Sequence, residues 1–161
     1  DPTFGVRRLS STTQVRSLIQ LRDGSFRAVL HFNGPALLAG ATRAGTVDAR
    51  LLPDGGVVPL PESLSDAIIE VKPGLLGMAS RFDDLSSDPN VGATDMAVAL
   101  LQLDGGLDRA APNGGYLVAH VPDTEARAFA LLLQPDGKVL LAGYQSTPQR
   151  TMPVICRLVV P

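Results

Sequence analysis

Carboxylates are the only chemically active side chains that this 161-residue sequence supplies in number, with sixteen Asp and Glu against two His and one Cys. Asp83, Asp84 and Asp88 fall within one loop, and Asp123 and Glu125 within another. Two carboxylates at the right separation hydrolyse glycosidic bonds, and a loop with several oxygen ligands at alternating positions holds calcium. Sequence spacing within one loop does not fix the distance between carboxylates. The expectation is therefore no catalytic residue and no bound metal, with Asp83, Asp84 and Asp88 as the one candidate calcium loop. His31 lies in the apolar run Val29-Leu30-His31-Phe32 and His120 in Val118-Ala119-His120-Val121, without a His-Glu-x-x-His pairing, so both are expected to be structural or surface histidines. Cys156 stands at a small-residue position of a strand, where a thiol packs like alanine, and no histidine pattern is present to activate it. Arg7, Arg8, Arg16, Arg22 and Arg27 cluster near the start, and arginine outnumbers lysine twelve to two. Such a cluster could bind an anionic glycan or a phosphate, but spread along strands it reads as a solvated face. Gly55-Gly56 and Gly114-Gly115 lack the Lys and Ser/Thr of a phosphate loop, so no cofactor site is expected.

Composition narrows the partners. Fourteen basic and sixteen acidic residues leave a formal charge of -2, which offers no field to attract nucleic acid or an anionic membrane. No apolar run is long enough for a membrane span. A single cysteine excludes an intrachain disulfide and a multi-cysteine metal site. Gly and Pro make up 29 of the residues, above average usage but short of a disordered or collagenous chain, which implies a globular fold with many turns. The opening Asp1-Pro2-Thr3 is neither a start methionine nor a signal peptide, so the chain is expected to be processed or cut from a longer one.

The elements that must position these groups repeat. Asp-Gly pairs recur at Asp23-Gly24, Asp54-Gly55, Asp104-Gly105 and Asp136-Gly137, each between apolar, β-prone stretches, which is the signature of a hairpin turn with positive φ. One Asp per turn suits turn geometry better than calcium. Ser17 to Gly24, Ala67 to Gly74 and Ala130 to Gly137 align as a first hairpin; Val47 to Gly56, Ala97 to Gly106 and Val154 to Pro161 align as a second. Each unit then reads as four short antiparallel strands in about 55 residues, the length of a propeller blade. Leu64, Ala67, Ile68 and Val71 also fit a helix, as does Glu125 to Leu133, but the repeat register predicts strands at both. The expected architecture is an all-β propeller segment with blades at 14–60, 64–121 and 126–161. Residues 1–13, with Val6 to Ser10 as the strand, would complete the last blade, since both ends fall at the same phase of the repeat.

The stretch Arg127 to Gly143 carries Gln134-Pro135-Asp136-Gly137-Lys138 between two apolar strands, followed by Ala142-Gly143, and resembles the bacterial delta-60 repeat. Ala97 to Gly115 resembles the second half of that repeat and Asp1-Pro2-Thr3-Phe4-Gly5 its terminal motif; the first two units keep less of the pattern. The resemblance implies a β-propeller-like repeat of secreted or surface bacterial proteins and supplies no catalytic residues. The reading that follows is a non-enzymatic binding or scaffold module, with a protein or glycan as ligand. Three blades are few for a propeller, so a second copy or further blades of a longer chain are expected to complete it. A polysaccharide hydrolase or lyase with channel carboxylates, and a subunit of a surface array, are the alternatives.

Overall fold

A computed structural model of the chain describes residues 14–31, 36–51, 57–60, 64–83, 94–120 and 125–161. These form an all-β structure of eleven strands. Unit 1 is a meander of β1 (Gln14–Gln20), β2 (Phe26–His31), β3 (Leu37–Ala41) and β4 (Val57–Pro59), paired in chain order. Unit 2 repeats it with β5 (Leu64–Lys72), β6 (Leu75–Asp83), β7 (Thr94–Gln102) and β8 (Tyr116–Ala119). Unit 3 has β9 (Glu125–Leu133), β10 (Lys138–Ser146) and β11 (Thr151–Val159) among the described residues. All pairings within units are antiparallel. Among the described residues the strand pairing between units 2 and 3 is a single parallel bridge, Thr94 to Glu125.

The turns follow from short-range chemistry. Gly24, Gly105 and Gly137 take φ of 83°, 88° and 80°, where a side chain would be strained. The preceding aspartates hold the chain in place: Asp23 Oδ1 accepts the Ser25 N–H at 2.8 Å, Asp104 Oδ1 that of Gly106 at 2.9 Å and Asp136 Oδ1 that of Lys138 at 3.2 Å. In unit 2, Pro73-Gly74 makes the tighter equivalent, with Gly74 at φ 83°. In unit 3 the Gln-Pro-Asp-Gly-Lys turn is tied to the third strand, because Arg157 donates to Gln134 Oε1 and to Asp136 Oδ2, each at 2.6 Å.

One part of the expected register is overturned. Val47 to Leu51 does not form the strand equivalent to Ala97–Leu101: Val47 makes an isolated bridge to Ala41, and Ala49–Leu51 is a single 3-10 turn. The strand before the second turn of unit 1 is β3, and its turn is Thr42-Arg43-Ala44-Gly45-Thr46, closed by Gly45 N–H to Thr42 C=O, as Gly105 N–H closes on Gln102 C=O in unit 2. Asp54-Gly55 lies outside the described residues. Asp48 thereby becomes the counterpart of Asp108, since each donates its N–H to the carbonyl two residues before the one that closes the turn, Gly40 or Leu100. Cys156 corresponds to Ala99 and Ala39, whereas Ala49 lies in the 3-10 turn. Gly40 is inside β3.

The units stack face to face by one rule. Unit 1 presents Ile19, Val29 and Leu38 to Ile68, Met78 and Ala99 of unit 2, and these form one core cluster. Unit 2 turns its opposite face, with Ile69, Ala79 and Val98, to Leu131, Leu141 and Cys156 of unit 3 in a second cluster. These are the same positions of the repeat, by strand register, used twice. We call the first set the front face and the second the rear. Because unit 2 is covered on both sides, β7 is buried from Asp95 to Leu101, and its residues 96–101 are a continuous apolar run, whereas β11 alternates half-buried and exposed residues. The same double burial resolves the helix-like spacing of Leu64 to Val71: β5 is a strand whose Ile68 faces unit 1 and whose Ile69 faces unit 3. Glu125 to Leu133 is likewise a strand.

Candidate functional site

In units 1 and 2 the turns that follow the first and third strands lie at one end of the meander, and there the two units meet around a buried ion pair. Arg27, the second residue of β2, lies on the front face opposite Gly40 of β3. Its side chain is completely buried, and it ion-pairs with Asp48 at 2.8 Å. It also donates to the Phe26 carbonyl at 2.8 Å and, across the interface, to the Leu103 carbonyl at 3.2 and 3.3 Å. Gly40 leaves the room: a Cβ there would stand 2.7 Å from both an Arg27 guanidinium nitrogen and a Leu51 methyl. A buried cation is tolerated only when paired and hydrogen-bonded, and here every group around it contributes.

Asp48 is shared with a second arginine. Arg50 donates through Nε to Asp48 Oδ1 at 2.9 Å and through Nη2 to Oδ2 at 2.6 Å, and reaches Asp23 Oδ2 at 3.4 Å and Ser25 Oγ at 3.3 Å. The Arg50 hydrogen bonds, followed by the charge of Arg27, hold the Asp48 carboxyl far below the usual carboxylate range despite burial. Hydrogen bonds from Ser25 lower Asp23 in the same way. Burial pulls Arg27 down from its ordinary value, and Asp48 opposes that.

A pH dependence follows with a definite sign. Folded Asp48 refuses a proton that its unfolded counterpart, near 3.8, accepts, so its contribution to stability is complete above that value and is lost as the pH falls below it. Urea unfolding midpoints are expected to be level from neutral pH to about pH 4 and to decline at lower pH, with a shallower decline in Asp48→Asn.

Arg50 also borders an open cleft of about 480 Å³ between the two turn ends, lined further by Gly74, Leu75, Gln102, Leu103, Asp104 and Asp108. Asp104 and Asp108 each use one oxygen to hold their own turn, accepting the N–H of Gly106 and of Ala110. The cleft thus combines a guanidinium, two carboxylates and an amide with the apolar Leu75 and Leu103 in its lining.

The other residues singled out in the sequence do not gather there. His120 is largely exposed and contacts buried Asp95 at 3.0 Å on the opposite side of unit 2. His31 contributes backbone to β2, and its side chain lies outside the described residues, as do Asp84, Asp88, Asp123 and the side chain of Asp83. Glu125 starts β9 and accepts from the Tyr144 hydroxyl at 3.4 Å. Among the described residues no three His, Cys, Asp or Glu side chains converge. Cys156 is half-buried, and burial raises its thiol above the ordinary value. The arginine cluster divides: Arg7 and Arg8 lie outside the described residues, Arg16 is exposed at a bulge of β1, Arg22 donates its backbone N–H to Glu70 at 2.7 Å, and Arg27 is core rather than solvated face. Sequence reasoning missed Asp48, Arg50 and Asp108; the signal available was a glycine paired with an arginine in adjacent strands. No helix of the described residues is long and apolar enough to cross a membrane. No family model, curated protein or solved structure gives a match to the chain.

Proposed function

We propose that the chain is a segment of a β-propeller of the delta-60 type, acting as a non-enzymatic binding and scaffold module of a secreted or surface bacterial protein. The observation that carries this reading is the repeated stacking rule, with each four-stranded meander laying its front face on the rear of the next, as blades do. The first strands β1, β5 and β9 approach one another in succession, the arrangement of strands around a common axis. The Arg157 ties to Gln134 and Asp136 give the hallmark turn of the family a structural task, in keeping with a frame rather than a reaction centre. Binding falls to the loops, and we assign it to the cleft of Arg50, Gln102, Asp104 and Asp108, with a glycan as ligand.

Two carboxylates lining one cleft also favour a second reading, hydrolysis of the same glycan. Affinity electrophoresis in gels containing alginate, pectin, xylan or chitin, together with reducing-end assays, separates them. Retardation by at least one polymer without release of reducing ends is expected, weakened about tenfold in Asp104→Asn/Asp108→Asn, the loss of one charged hydrogen bond. Reducing ends that vanish in that variant would establish the hydrolase instead. Migration unaffected by every polymer would overturn glycan binding.

A further inference from the structure

Among the described residues Asn113 is the one non-glycine residue with positive φ, and Gly114 follows it. The two take φ of 49° and 68° with ψ of 36° and 24°, the left-handed pair of a type I′ turn, in the segment that joins Asp108 to β8. Both are exposed. Asparagine tolerates this conformation and glycine relaxes in it, so the pair turns the chain by the same short-range chemistry as the Asp-Gly hairpins. Its reactivity differs. At Asp23, Asp104 and Asp136 the group before glycine is an ionised carboxylate, a poor electrophile, and one of its oxygens accepts a backbone N–H two residues on. Asn113 carries a neutral amide, whose carbonyl carbon a nucleophile can attack. Among the described residues that amide makes one hydrogen bond, to the Tyr116 carbonyl at 3.4 Å, longer than a well-formed bond. Gly114 has no side chain to shield its backbone nitrogen, and beyond its chain neighbours no atom lies within 4 Å of where a Cβ would stand.

We propose that Asn113-Gly114 is a site of spontaneous covalent modification, at which the asparagine loses ammonia and becomes a mixture of aspartate and isoaspartate. The Gly114 backbone nitrogen bonds to the Asn113 side-chain carbonyl carbon, and the side-chain nitrogen leaves as ammonia with the proton that Gly114 gives up. Reaching this cyclic imide needs rotation about ψ of Asn113, which an exposed turn permits. Water then opens the ring. Opening at the side-chain carbonyl yields aspartate; opening at the backbone carbonyl yields isoaspartate, with the main chain rerouted through the side chain. Aspartate keeps the turn, since it too tolerates positive φ. Isoaspartate adds a methylene to the main chain between Pro112 and Tyr116, whose C=O and N–H close the turn. Tyr116 begins β8, stands 5.4 Å ring to ring from Phe82 and packs on the core between units 1 and 2, so the lengthened product loosens the start of that strand.

Peptide mapping of the folded full chain, aged at physiological temperature in water enriched in heavy oxygen, tests the proposal. The Asn113 peptide is expected to appear as separate aspartate and isoaspartate forms, each carrying one heavy oxygen, faster as the pH rises because the attacking nitrogen must lose its proton. Isoaspartyl methyltransferase should label the aged chain at this peptide, and hydrogen exchange should show β8 losing protection in the labelled fraction while β10 and β11 keep theirs. Asn113→Gly keeps the left-handed turn and is expected to abolish the labelling at this peptide. Asn113→Asp, a second variant that preserves the turn, should form isoaspartate more slowly than the wild type. Asn33-Gly34, the chain's other such pair, lies outside the described residues and maps to a different peptide. An Asn113 that stays intact in the folded chain, whether or not it converts in urea, would overturn the site. Conversion to aspartate alone, without isoaspartate, would overturn the imide route.

Discussion

Replacing Asp48 by alanine is expected to lower the unfolding free energy by about 3–5 kcal/mol, the cost of leaving a buried charge without its partner. Arg27 has no exposed side-chain surface, so its guanidinium cannot turn to water without opening the interface between units 1 and 2. Its remaining acceptors, the Phe26 and Leu103 carbonyls, are neutral. Arg50, half in solvent, would lose the same carboxylate but could hydrate. Arg27→Met should therefore cost less than Asp48→Ala, since it removes the buried charge and leaves Asp48 its pairing with Arg50. Urea unfolding of both variants decides the matter. A loss of less than about 1 kcal/mol in Asp48→Ala would show that Arg27 finds another home.

Gly143→Ala is expected to destabilise unit 3 by about 3 kcal/mol or more, the upper range of overpacking costs. A Cβ at Gly143 would stand 1.9 Å from the Arg127 carbonyl oxygen and 2.8 Å from its carbon. Both atoms are backbone, so no rotamer relieves the clash. The position sits where the register between β9 and β10 shifts, between Ala142 and Gly143, and the close approach of the two strands falls at this bulge. Hydrogen exchange should show the amides of β9 and β10 losing protection while those of β6 and β7 keep theirs. Equal protection throughout would mean that β9 slides to make room. The Ala-Gly that follows the Gln-Pro-Asp-Gly-Lys turn thus has a steric reason.

Some of this organisation is readable from local chemistry. Asp-Gly between apolar stretches specifies a turn because glycine alone relaxes at positive φ and the aspartate oxygen caps the next amides; Asp23, Asp104 and Asp136 do so. The second turn of unit 1 escaped that logic. Thr42-Arg43-Ala44-Gly45-Thr46 has the required glycine, at φ 77°, but its first-position threonine supplies only a hydroxyl bond to Thr46, so the more familiar Asp54-Gly55 drew the alignment. The cleft was hidden for the same reason, since Asp48 and Asp108 become equivalent only once that register is right.

Apolar content, turn chemistry and the spacing of the hairpins dictate that this chain makes strands, and most of where they turn. They act over a few residues, and their energetics do not depend on distant partners. Which faces are buried depends on contacts between residues tens of positions apart. Nothing in the sequence Phe26-Arg27-Ala28-Val29 marks Arg27 as buried, and only the approach of Leu103, 76 residues away, with Asp48 and the space above Gly40, makes it core. Leu38, Val98 and Ile155 occupy one position of one repeat with similar side chains, yet Leu38 and Val98 are buried because units 2 and 3 pack on them, while Ile155 is 74% exposed.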